Sequence, residues 1–225
     1  MKKILTLLVG IVAISVSQAQ DFKPAGGEKN LEVQFAPLGG SPISIGGIRY
    51  RQFSSPTSAL RATAFVGYSS TSEVTQDEDK KDGNTDEELK DRTTQFDFAI
   101  RPGIEKHFAG TDRLSPYVGA ELDLAIRTTS ETSERQDGTT IKKDKITGRN
   151  GFTRIGANAV AGFDYYFAKH VYVGAELGIG VGLTSPSTIK NKPDGGTETE
   201  TKVGNTRQLN FGPIVNSFIR LGFLF

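Results

Sequence analysis

From Leu209 onward every second residue is apolar, namely Leu209, Phe211, Pro213, Val215, Ile219, Leu221, Phe223 and Phe225, with Ser217 the one polar member. The intervening row mixes amides, glycines and an arginine: Asn210, Gly212, Ile214, Asn216, Phe218, Arg220, Gly222 and Leu224. A period of two held this long specifies a strand, because successive side chains point to opposite faces of a sheet. The same alternation predicts seven more strands, at residues 30–36, 43–53, 59–69, 93–108, 116–129, 151–167 and 171–184. In the third, Leu60, Ala62, Ala64, Val66 and Tyr68 oppose Arg61, Thr63 and Gly67. In the seventh, seven apolar residues from Val171 to Leu183 alternate with Tyr172, Glu176 and four glycines. Gly46-Gly47 shifts the parity of the second, which predicts a bulge and turns Arg49 and Arg51 onto the polar row. Pro102 and Pro213 sit uncomfortably in strands, since each removes a ladder hydrogen bond.

The connections alternate in length. Segments 54–58, 109–115 and 168–170 are short, whereas 70–92, 130–150 and 185–205 are long and polar. Eleven charged residues within strands share the row opposite the aliphatics: Arg61, Asp97, Arg101, Glu105, Glu121, Asp123, Arg127, Arg154, Asp164, Glu176 and Arg220. A water-soluble barrel of the lipocalin kind would bury the aliphatic row instead. A membrane barrel does the reverse: its aliphatic row meets lipid, where an arginine costs ~2–4 kcal/mol near the midplane, and its charges neutralise one another within. The expected fold is all-β, an eight-stranded antiparallel up-and-down transmembrane barrel with short periplasmic turns and long extracellular loops. Tyr50, Phe53, Phe108, Phe167, Phe223 and Phe225 cluster at the short-turn ends, where an aromatic belt belongs.

Residues 1–19 read as a secretory signal peptide: Lys2 and Lys3, an apolar core from Ile4 to Ile14, and Ser17-Gln18-Ala19 before the cut. That core is too short for a spanning helix, which needs ~20 apolar residues. Residues 20–29 are then a polar lead-in, and 30–225 the barrel. Losing Lys2 and Lys3 carries a formal charge of +1 just below zero, so no bulk basic charge points to nucleic acid. The absence of cysteine removes disulfides and thiolate chemistry, and excludes a lipoprotein.

The alternating strands, the loop asymmetry, the leader and the terminal Phe225 resemble the small eight-stranded bacterial outer-membrane barrels. That group holds OmpX, the transmembrane domain of OmpA and the PorT-like barrels of Bacteroidetes. The resemblance is architectural and spans the chain after its leader. It implies that Phe223 and Phe225 form the signal read by the barrel-insertion machinery, and that the surroundings are outer-membrane lipid and lipopolysaccharide. It carries no catalytic or ligand motif across.

Eight strands leave a bore just wide enough for side chains to fill, so the mixed charges predict a plugged interior. Two histidines, His107 and His170, lie beside short turns, where an isolated imidazole is usually an interfacial residue and seldom a general base. No catalytic residue is assigned. Asp77-Glu78-Asp79-Lys80-Lys81-Asp82-Gly83 imitates a calcium loop, but Lys81 falls where an oxygen ligand belongs and the glycine is out of step. No metal or cofactor is expected. The loops are polar caps (70–92 holds nine acids against four bases) whose edges could pair with an extracellular partner. The expected role is non-enzymatic: envelope structure, or surface interaction through the loops. Two alternatives stay open, a narrow transporter for small or hydrophobic molecules and an accessory component of an outer-membrane secretion system.

Overall fold

Every strand the alternation marks lies in one antiparallel sheet that closes on itself. The computed structural model describes residues 22–35, 45–75, 89–137, 140–202, 207–212 and 218–225. The leader 1–19, residues 37–42, the run 77–83 and Pro213 lie outside these.

Around the ring run β1 (Lys29–Phe35), β2 (Ile45–Ser55), β3 (Ser58–Thr75), β4 (Leu89–His107) and β5 (Leu114–Asp137). The chain then leaves the wall as β6 (Thr140–Thr147) and returns as β7 (Phe152–Ala168) and β8 (Val171–Pro186). A second excursion holds β9 (Ile189–Lys192) and β10 (Thr199–Thr201), before β11 (Gln208–Gly212) and β12 (Phe218–Leu224). Each wall strand pairs with the next, β5 with β7 and β8 with β12, and β12 pairs back onto β1. β11 continues the last wall position along β8.

The count of eight strands is therefore corrected to twelve strand segments among the described residues. Eight positions make the ring. The surplus arises because β6, β9 and β10 form in segments expected to be loops, and because β11 and β12 are described on either side of 213–217. β3, β4 and β5 also run several residues past their expected ends. β6 pairs with β5, β9 with β6 and β10 with β9, so a sheet stands above one side of the ring.

Two local features follow from residue chemistry. The β1–β2 register slips between Gln34↔Gly47 and Phe35↔Ile45, which puts the bulge at the glycine pair. Pro102 lies where the β4–β5 ladder skips from Ile100↔Leu124 to Gly103↔Glu121, while its pairing with Ala62 of β3 is kept; the missing N–H falls in that gap. The faces separate as the alternation requires. Leu60, Ile104, Leu122, Ile155 and Leu177 are each more than half exposed on the outer wall, whereas Glu32, Arg51, Asp164 and Arg220 have no exposed surface. Bare backbone at inward glycines admits the larger groups: a Cβ on Gly174 would stand 2.5 Å from Arg220 Nη2.

Candidate functional site

The bore holds two tiers of ion pairs that differ in dryness. The tier toward the short turns contains Arg49, Arg51, Arg61 and Arg220 against Glu32, Glu105, Glu121, Asp164 and Glu176, four guanidiniums among five carboxylates, all buried. β2 supplies its centre. Arg51 reaches Glu32 Oε1 through Nε at 2.5 Å, and Glu105 Oε2 and Asp164 Oδ2 through Nη1, each at 2.9 Å. Its Nη2 donates to Tyr172 OH, and the rings of Phe53, Tyr117 and Tyr172 stand 5.2–5.8 Å from its guanidinium. Glu176 is gripped from two sides. Arg49 donates Nη1 and Nη2 to its two oxygens at 3.0 and 2.7 Å, Arg61 donates to both at 2.9 Å, and Tyr117 OH adds a bond at 2.5 Å. Arg61 also meets Glu105 and Glu121, and Arg220 ties Glu32 of β1 to Asp164 of β7. Planar forks that donate in several directions let one arginine join strands on opposite sides of the ring.

The upper tier is wetter. Asp123 accepts from Arg101 at 2.7 Å and from Arg154 at 2.6 Å, and Asp97 accepts from Arg127 at 2.6 Å and from Gln95. Phe65 lies 4.7 Å from the Arg101 guanidinium, and Phe152 sits beside Arg127 and Arg154. Arg127 and Asp97 are about one-third exposed, so this tier opens toward the loop end.

Of the eleven charged positions singled out from the sequence, Arg61, Glu105, Glu121, Asp164, Glu176 and Arg220 meet in the dry tier. Asp97 and Arg127 pair in the wet tier, as do Arg101 and Arg154 around Asp123. Phe223 and Phe225 stack outside the wall with centroids 6.5 Å apart. Tyr172 lies on the row where the alternation put it, whereas Tyr117 and Asn30, which bonds the Tyr172 hydroxyl, were missed. Parity alone would have placed both, since Tyr117 shares a row with Glu121 and Asn30 with Glu32.

Two expectations are corrected. Phe53 is fully buried and packs on His107 at 5.3 Å, so it is no member of the outer aromatic belt; it follows Arg49 and Arg51 on the inward row. His107 is buried too, not interfacial, because β4 extends as far as it and keeps it on the row of Arg101 and Glu105. Its Nδ1 faces Ser115 Oγ at 2.9 Å and its Nε2 faces Glu105 Oε2 at 3.2 Å. Serine, imidazole and carboxylate in series have the membership of a hydrolytic triad. The placement argues against that use. Ser115 is only 3% exposed, and Glu105 is already shared by Arg51 and Arg61. His170 instead occupies the turn between β7 and β8 at φ 66°.

Compared with known proteins, residues 44–225 match the sequence profile of the Putative OmpA-OmpF-like porin family. No curated protein matches the chain. Among solved structures, the N-terminal beta-barrel domain of Pseudomonas aeruginosa OprF aligns at 14% identity and TM-score 0.35, over 90% of this chain and 100% of that one.

Proposed function

The chain belongs to the OmpA-OmpF-like porin family and is an outer-membrane barrel, and from that premise we propose a non-enzymatic role in which the bore is closed and the loop-end sheet does the work. The observation that carries this is the dry tier. Arg51 and Arg220 join β1, β4 and β7 across the interior, leaving their carboxylate partners without exposed surface. A hydrated ion has no path through such a lattice unless several buried pairs open together. Breaking even one such pair costs ~3–5 kcal/mol.

The protein's place is then envelope structure and contact at the cell surface. An aliphatic wall faces lipid, the leader 1–19 directs export, and Phe223 of β12 with Phe225 just after it serve the insertion machinery. The open edges of the loop-end sheet offer backbone groups to an extracellular partner. The partly exposed upper tier favours one other reading, a narrow conduit that admits small solutes as far as Asp123. Conductance of the purified protein in planar bilayers separates the two. Silence, or only brief small steps, is expected for the closed bore. A steady conductance on the scale of a wide porin would contradict it.

A further inference from the structure

Above the ring, the outward face of the sheet changes chemistry row by row, and the register fixes each row. The lowest row pairs Phe96 with Thr128, at the top of the aliphatic wall. The next runs Thr94↔Ser130↔Thr147↔Lys190, three hydroxyls and a lysine. The third runs Arg92↔Thr132↔Lys145↔Lys192. Directly paired residues share a face with Cβ atoms ~4.5–5.5 Å apart, and like charges placed opposite one another destabilise a sheet. Lys145 and Lys192 are such a pair. Lys190 is answered by Glu200 at 2.6 Å, but Arg92, Lys145 and Lys192 are exposed and have no acidic partner among the described residues. The opposite face of the same strands mixes signs: Glu73 pairs with Asp91, Asp144 lies two strands further on, and Arg135 and Lys142 there are bridged to Asp144 and Asp137. The three cations without an acidic partner thus lie together on the side continuous with the lipid-facing wall.

That side is also concave. Thr94, Thr128, Ser130 and Thr147 line a cavity of about 400 Å³ with Phe96 beside them, and Lys145 and Lys190 are also in its wall. Apolar wall, aromatic, hydroxyls and cations, in that order with height, complement an amphipathic ligand whose acyl chains run downward and whose anionic sugar head lies above them.

We propose that this face binds the phosphorylated headgroup of an outer-leaflet glycolipid. Phosphate lies against Arg92, Lys145 and Lys192, sugar hydroxyls meet the threonine and serine row, and an acyl chain covers Phe96 and the wall below. The inference rests on the reading that the barrel lies in the outer membrane with its loop end outward.

The test reconstitutes the full-length protein into phospholipid nanodiscs doped with either bisphosphorylated lipid A or its dephosphorylated form, and measures retained glycolipid by native mass spectrometry. Wild type should hold the phosphorylated form preferentially. The triple variant Arg92→Gln/Lys145→Gln/Lys192→Gln should lose at least about tenfold of that retention, as expected for cations near an anionic surface. The control Arg135→Gln/Lys142→Gln, on the opposite face, should lose little. Equal retention of both glycolipids, an unaffected triple variant, or displacement by millimolar inorganic phosphate would overturn the glycolipid site while leaving the barrel intact. Failure of the wild type to insert, read from the absence of a heat-dependent gel shift, would instead overturn the membrane reading and the site with it.

Discussion

Arg51 shows what a single buried charge does in this molecule. It touches Glu32, Glu105 and Asp164 at once, so its removal takes one counter-charge from three buried carboxylates and leaves Arg61 and Arg220 to hold them. Arg51→Met is expected to destabilise the folded barrel by ~3–5 kcal/mol. Arg127→Met, one-third exposed and paired to Asp97 alone, should cost only ~0–1 kcal/mol. Urea titration of vesicle-inserted protein, followed by gel mobility, would compare the two, and equal losses would contradict the division into dry and wet tiers. Gly174 makes the complementary point about space. An added Cβ would meet Arg220 Nη2 at 2.5 Å and the Phe163 carbonyl oxygen at 2.6 Å, whereas on Gly67 it would stand 3.4 Å from Asp97 Cβ. Gly174→Ala should therefore cost ~1–3 kcal/mol through overpacking. In the same titration Gly67→Ala should lie close to wild type.

At the scale of elements, the period of two made every wall strand legible, because one face of each is greasy and the other ionic. The parity of β2 could be read from Gly46-Gly47 alone, and with it Arg49 and Arg51. What the sequence hid was the sheet above the wall. From Thr132 to Asp137 and from Thr140 to Thr147 both faces meet water, so the hydrophobic alternation disappears although the Thr and Ile content still favours strands. Ion pairs hold this sheet where apolar packing does not. Asp144 is kept below the usual carboxylate range by the Asp194 backbone N–H and then by Arg135, and Glu134 by its hydrogen bond to Lys143. Groups depressed on folding stabilise above their unfolded values and lose that contribution as pH falls through the folded ones. Amide protection in β6, taken relative to the intrinsic exchange rate at each pH, should therefore fall below the ordinary carboxylate range, while protection in β7 and β8 stays high. Uniform behaviour along all three strands would contradict this assignment.

For the molecule as a whole, the decisive feature is the sorting of side chains between the two surfaces of one closed sheet. Leu122, Leu124 and Ile126 stand on the outside of β5, while Glu121, Asp123 and Arg127 of the same strand line the bore. A chain without cysteine lets single thiols report that sorting cleanly. Spin labels should be placed one at a time at Leu122→Cys, Leu124→Cys and Ile126→Cys on the wall, and at Ala99→Cys and Ala125→Cys on the inward row. Their collision rates should then be measured with oxygen and with a water-soluble nickel chelate in lipid vesicles. The wall sites are expected to meet oxygen from the hydrocarbon and exclude the chelate, with the two inward sites showing no lipid contact. Wall labels that meet the chelate, with inward labels in lipid, would contradict the account at its root.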